Sequence, residues 1–413
     1  MMGQTRGNWG AIVDEGILDD VARLTGADPS GMLLHVASSA RQVRESAALA
    51  QETGVASLAA DGRPRAVLVA GAGGSTAFGA ALTAVMGPDC PVPVLEYDGF
   101  GLPGWAGVAD LVIVVSGSGR DGQALSALEE ADRRGCRTLA VGAPDSPLAA
   151  LADRARALFV AVPVVDARPT RASFWALLLP AVVAVHALGL VQGGAEGADA
   201  IEATAARLED VAMRCRPSSE TFVSPAKELA LALAGSLPLL WGTTALTAAA
   251  VSRAADQLAA NAGYPAVPGV LPAAAAAQVG ILDGAFGSRA GSAGSAGPNA
   301  GPGAAAGAAE DLDDFFRDRV DEAEPVRLRL VLLRDQAAEH PTVTRQADAA
   351  IVAAAERGIP ITEVSAQGAS RLERLASLVG LFDYASVYLG IVLGLDPTPV
   401  AAARDLDIRP LPN

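Results

Sequence analysis

Five short apolar runs, AVLVAG, VPVLEYD, DLVIVVSGSG, RTLAVGA and ALFVAVP, recur between residues 66 and 163 with helical stretches between them. Strands separated by helices are joined by crossovers rather than hairpins, so the pattern predicts a parallel sheet, with any site in the loops at the carboxyl ends of its strands. The pattern returns after a helical connector, GADAIEATAARLEDVAMRC, with the runs LPLLWGT, RLRLVLL and PITEVSA. The fold class expected is therefore α/β with two doubly wound parallel sheets. The expected order is a helical arm over 1–60, a first domain over 61–192, a connector over 193–220 and a second domain over 221–413. Within the arm, DEGILDDVARLTG reads as a helix closed by Gly26, and a second helical stretch restarts after Asp28 and Pro29. SRLERLASLVGLFDYASVYLGIVLGLDP, near the end of the chain, reads as packed helices.

A chain of 413 residues can bury two cores of ordinary size. Its formal net charge of -15 and lack of a basic run argue against nucleic acid or an anionic membrane as a partner. Lys227 is the only lysine, which a GC-rich coding bias would explain. Cys90, Cys136 and Cys215 are widely spaced, so neither a disulfide framework nor a metal site is expected, and a reducing cytoplasm fits. MMGQTRGNWGAIVDEG has no apolar core of a secretory signal. FWALLLPAVVAVHALGLV, residues 174–191, is long enough to span a bilayer, but Pro180 and the solvated chain on both sides favour a buried core or interface helix, with His186 as a structural core residue. The Gly, Ala, Ser and Pro-rich stretch over 287–316 reads as a disordered insertion loop, its most biased part at 287–310.

Two glycine turns carry the chemistry. AVLVAGAGGSTAFGAAL is a strand feeding a glycine turn that opens a helix, the arrangement that aims backbone N–H groups at an anion. Gly71, Gly73 and Thr76 fall at the spacing of a dinucleotide fingerprint, and Glu96 falls where a ribose-binding acid would stand, but the third glycine is missing. The second turn, Ser116-Gly117-Ser118-Gly119, follows a buried strand and precedes a helix. Small hydroxyl residues on such loops hydrogen-bond phosphate oxygens, and two loops on neighbouring strands form a phosphate cup.

The Gly-Gly-Ser loop, the Ser-x-Ser-Gly loop and a later Pro-x-Arg together resemble the SIS (sugar isomerase) fold, specifically the bifunctional phosphoglucose/phosphomannose isomerases. The likeness runs through DPSGML, GAGGST, VVSGSG, RPTRASFW, PAKELALALAGSLPLLWGT and FDYASVYLGIVLGLDP, covering nearly the whole chain. It implies two SIS domains, a homodimer, and isomerisation of glucose 6-phosphate or mannose 6-phosphate to fructose 6-phosphate without metal or other cofactor. It also implies that Gly73, Gly74, Ser75, Ser116 and Ser118 bind the phosphate and that Arg171 faces the reacting carbons; Arg120, directly after the second loop, is counted with the phosphate-binding residues.

Departures from the family pattern lie at the same site. The family's Asn-Thr-x-Glu-Thr is replaced here by Arg120-Asp121-Gly122-Gln123-Ala124. Either Asp121 turns outward as a helix cap while Arg120 compensates, or the anion site is weakened. The family's Glu-Asn, whose Glu is its base, aligns with Ala260-Asn261, and its Pro-Glu-x-x-His-Asn, whose His opens the sugar ring, aligns with a segment that keeps Pro272 and has Ala276 at the His. No lysine follows Lys227 to match the family's C-terminal one. Loss of each proton-transfer group costs about 10² to 10⁴ in rate unless another replaces it. Asp256, one helical turn before Ala260, is the substitute base considered first, and Asp283 the second. Two readings follow: an isomerase with substitute groups, and a non-catalytic sugar-phosphate sensor or scaffold.

Overall fold

The computed structural model describes residues 4–6, 12–71, 77–163, 168–191, 197–287 and 327–398. A short antiparallel pair, β1 (Gln4–Arg6) and β2 (Ile12–Asp14), precedes helices α1 (Val21–Ala27), α2 (Met32–Ala37) and α3 (Ser39–Glu52). Gly26 lies inside α1 and does not close it. Asp28 divides α1 from α2, its buried carboxylate accepting the amides of Met32 and Leu33 at 2.7 and 2.8 Å.

The first sheet is built from β3 (Val67–Ala70), β4 (Val94–Tyr97), β5 (Leu111–Ser116), β6 (Arg137–Gly142) and β7 (Leu158–Ala161). Its helices are α4 (Ala77–Met86), α5 (Gly122–Arg133) and α6 (Pro147–Ala155). The strand order is β4-β3-β5-β6-β7, and every pair is parallel. β3 and β5 are buried throughout, as strands covered on both faces must be. The register pairs Ser116 with Gly142, setting the serine loop beside the loop that follows β6.

Helices α7 (Phe174–Ala187), α8 (Ala198–Cys215) and α9 (Pro225–Leu233) lead to the second sheet. That sheet comprises β8 (Ser236–Gly242), β9 (Val267–Val270), β10 (Arg327–Arg334) and β11 (Ile361–Ser365), with α10 (Ala245–Ala262), α11 (Ala273–Ala277), α12 (Pro341–Glu356) and α13 (Arg371–Val392). Its strands run β11-β10-β8-β9, again all parallel. β9 was not anticipated, because Val-Pro-Gly-Val reads as a turn; Pro268 is tolerated because β9 is an edge strand.

Segments Thr170–Ala187 and Arg371–Val392 are long and apolar enough to cross a membrane, yet are 72% and 89% buried inside the fold. The expectation of a buried helix at 174–191 holds for α7, but His186 is exposed in its last turn, so it is not a core histidine. α13 packs against α8, α9 and α10, placing its buried face between the two halves of the chain. The proposed insertion loop falls on residues that lie, apart from Gly287, outside the described ones.

Candidate active site

Gly73, Gly74 and Ser75 lie outside the described residues. The second turn is fully described. Gly117 and Gly119 let it pack closely on two neighbours. A Cβ on Gly117 would stand 2.2 Å from Thr170 Cγ2, and one on Gly119, whose φ is +65°, would stand 2.1 Å from Ser146 Oγ.

Asp121 settles the alternatives its position raised. It precedes α5, but its side chain caps no amide. The buried Ser116 hydroxyl instead donates to the Asp121 carboxylate, and Ser118 Oγ lies 3.5 Å from the same oxygen. Ser118 Oγ also accepts the Arg120 amide at 3.1 Å. The carboxylate thus turns inward, onto the hydroxyls expected to receive phosphate, and the outward-cap alternative is ruled out. Arg120 is exposed beside it.

A cleft of about 320 Å³ opens beyond this loop at the carboxyl ends of β5, β6 and β7. Ser118, Arg120, Ser146, Arg168, Thr170 and Ser173 are among its lining residues, and Arg171 is not. A larger cavity of about 470 Å³ borders edge strand β11, α8 and α9, and shares no residue with the serine loop.

Arg171 points toward the second half of the chain. Its Nε donates to Asn261 Oδ1 at 2.8 Å, and its Nη2 donates to the carbonyls of Pro397 and Thr398 at 2.8 and 2.7 Å. Burial pushes its guanidinium below the ordinary arginine value. Asn261 is buried and passes the link onward, its Nδ2 donating to Ser386 Oγ at 2.9 Å. Two turns earlier on α10, Arg253 donates to Asp383 Oδ2 at 2.8 Å and to the Arg171 carbonyl at 3.1 Å. Its guanidinium also lies 4.2 Å from the centre of the Phe174 ring. Gln257 Nε2 completes the set with a 3.2 Å bond to Asp383 Oδ1. Burial pushes the Asp383 carboxyl upward and Arg253 opposes it. Sequence reading missed Arg253, Gln257 and Asp383, because no local pattern ties residues 130 positions apart.

The substitute acids are placed less centrally. Asp256 is exposed on α10, whereas Arg253, Gln257 and Asn261 are buried on the side that meets Asp383 and Arg171. Ala260 is half-buried next to Asn261, and Ala276 is exposed on α11. Asp283 is engaged by Arg357, whose Nε donates to it at 2.9 Å, so the solvated ion pair accounts for it. Arg168 and Thr170 were inside the motif that pointed to Arg171, and their own place in the cleft went unread. Among the described residues, no group of three or more His, Cys, Asp or Glu side chains is arranged to hold a metal ion.

Residues 222–407 match the model of the bacterial phospho-glucose isomerase C-terminal SIS domain. Over 334 residues, 81% of this chain, the sequence is 24% identical to a bifunctional phosphoglucose/phosphomannose isomerase of Caldicellulosiruptor bescii, spanning 86% of that protein. A hypothetical protein from Thermus thermophilus shares the fold with a TM-score of 0.65 at 17% identity, the match covering 95% of this chain and 94% of that one. A glucose-6-phosphate isomerase from Chlamydia trachomatis matches with a TM-score of 0.58 at 14% identity, covering 94% of this chain and 84% of the other. The motif order, the two parallel sheets and these likenesses agree: the chain has the fold of the SIS-type phosphosugar isomerases, its residues 222–407 match an SIS-domain model, and its sequence is similar to a bifunctional phosphoglucose/phosphomannose isomerase.

Proposed function

We propose that the protein isomerises glucose 6-phosphate or mannose 6-phosphate to fructose 6-phosphate. The observation that carries this reading is the 2.8 Å bond between Arg171 and Asn261. Arg171, implied as a site residue, thus meets Asn261, the retained half of the family's Glu-Asn pair, although the two stand 90 positions apart.

Moving a carbonyl from C1 to C2 requires a proton to leave C2 and one to arrive at C1, with negative charge building on oxygen between the two events. A guanidinium fixed in place beforehand stabilises that charge without having to reorganise. Asn261 and the carbonyls of residues 397 and 398 supply that fixation. In this proposal the proton is handled by Asp256, one turn of about 5 Å from the position of the family's base, reaching the substrate directly or through one water. Turnover is expected to be slow, since neither Ala260 nor Ala276 can move a proton.

The homodimer belongs to the same proposal and is checked by light scattering on the eluting protein. A cytoplasmic setting also belongs to it, supported by Cys90, Cys136 and Cys215 all being free thiols.

A coupled assay for fructose 6-phosphate formation from both sugar phosphates tests the reading. Activity is expected in the wild type, with a fall of about 10² or more in Arg171→Ala and of a comparable order in Asp256→Asn. Absence of turnover in folded wild-type protein that still binds sugar phosphate would make it a binding protein on an isomerase scaffold, the reading that Ala260 and Ala276 favour.

A further inference from the structure

We infer that the phosphate of the ligand sits not on the serine hydroxyls but in the neighbouring cleft, on the guanidinium groups of Arg168 and Arg120 and the hydroxyls of Thr170 and Ser173. This rests on the sugar-phosphate reading above and assigns that ligand's charged end a new place in this chain.

Three observations lead there. First, the serine cup is already occupied from within. Ser116 gives its hydroxyl proton to Asp121, and Ser118 lies 3.5 Å from the same carboxylate oxygen. A phosphate dianion on those hydroxyls would meet a carboxylate at contact distance and lose the donor it needs, because a hydroxyl has one proton to give. The carboxylate already satisfies the cup in the way a phosphate oxygen would.

Second, the adjoining cleft has the opposite character. It is lined by Arg120 and Arg168, with one carboxylate, that of Asp145, exposed at the rim. Arg168 is half-buried, and its one hydrogen bond is from Nη2 to the Pro163 carbonyl at 3.2 Å, so no carboxylate is bonded to it among the described residues. Burial and the nearby charge of Arg41 both disfavour its protonated form, with Glu45 opposing more weakly. A cation held in partial burial without a bonded counter-charge is the setting that an anionic ligand improves.

Third, donors are free there. Thr170 and Ser173 line the cleft, and their hydroxyls form no hydrogen bond among the described residues, whereas Ser146 is engaged, donating to the Ala143 carbonyl at 2.7 Å and accepting the Ala149 amide at 3.2 Å. The volume, about 320 Å³, accommodates a phosphomonoester with part of its sugar. Arg168 and Arg171 flank Pro169 and Thr170 on one short segment, so the charged end and the reacting end of a ligand would be read from the two sides of a single turn.

The experiment is calorimetric titration of the full chain with fructose 6-phosphate and, separately, with inorganic phosphate. Wild type is compared with Arg168→Gln, Arg120→Gln and the double variant Ser116→Ala/Ser118→Ala. Arg63→Gln, at the opposite end of the sheet, controls for net charge, and thermal unfolding checks each variant's fold. Arg168→Gln is expected to weaken both ligands at least tenfold and Arg120→Gln about threefold, with Arg63→Gln within twofold of wild type. Should Arg168→Gln misfold, the Arg120→Gln value decides in its place. Fructose 6-phosphate binding that is unchanged in both arginine variants but lost in the serine double variant overturns the inference and leaves the proposed function standing. Arginine-dependent binding of inorganic phosphate without fructose 6-phosphate binding supports the anion site and overturns the sugar-phosphate reading. Binding of neither ligand by wild type at millimolar concentration overturns both.

Discussion

Glu96 shows how one side chain links the fold to pH. On edge strand β4 its carboxyl end lies against the first turn of α4, where a Cβ on Gly79 would come within 2.8 Å of Cδ. Burial of that end and the charge of Asp98 raise its pKa to about 7, against the opposing Gly79 amide. A carboxyl raised on folding contributes stability that is complete below its unfolded value, about 4.3, and is lost as pH rises through about 7. Glu96→Gln is therefore expected to raise the urea midpoint at pH 8 and leave it nearly unchanged at pH 4. Lys227 is a second case. Its ammonium is buried and donates to the carbonyls of Leu18, Pro217 and Ser219, 5.6 Å from the centre of the Tyr388 ring. Lys227→Met should cost about 3 kcal/mol by denaturant unfolding, because three carbonyls lose a charged donor together. The scarcity of lysine was readable in the sequence as coding bias, but the role of the one lysine present was not: its partners are backbone groups, which carry no residue-type signal. Asp121 marks the same boundary at the site itself. Its position before a helix was plain, while the choice between capping α5 and turning onto Ser116 is made by the rotamer.

Among the elements, α10 joins the most distant parts of the chain. Its capping box is explicit, with Thr244 and Thr247 bonding each other's backbone at the start and Gly263 in the left-handed region at the end. From its buried side Arg253, Gln257 and Asn261 reach Asp383 and Ser386 on α13 and Arg171 before α7. Truncating Arg253 would leave Asp383 as a buried charge without its partner. Arg253→Met is thus expected to destabilise by about 3–5 kcal/mol in urea unfolding, and Asp383→Asn in the same background should restore part of it. The strands whose apolar runs are long, β3, β5, β6, β8 and β10, were all legible, because a parallel strand buried on both faces needs an unbroken apolar stretch. β9 escaped because an edge strand makes weaker demands, and the break between α2 and α3 at Ser38 escaped because a short interruption leaves helical periodicity intact.

On the scale of the whole molecule, two parallel sheets are held together by helices whose apolar surface faces inward. α7 and α13 resemble membrane spans in composition, but their burial explains their hydropathy: a helix apolar all round belongs where every side is covered. On detergent phase separation the intact protein is expected to partition into the aqueous phase, and appreciable recovery in the detergent phase would contradict this packing. The charge of -15 is spread over a surface with no basic tract, so attraction for an anionic ligand must come from a local pair such as Arg120 and Arg168 rather than from a long-range field. Arg171 also carries a consequence for the order in which the molecule becomes competent. Its guanidinium takes one acceptor from α10 and two from residues 226 and 227 positions later. During synthesis the first sheet, with its serine loop and cleft, emerges from the ribosome long before the carbonyls that fix this arginine. On the proposed placement of the phosphate, a nascent or prematurely terminated chain therefore carries the anion-binding cleft before it carries the acceptors that fix Arg171.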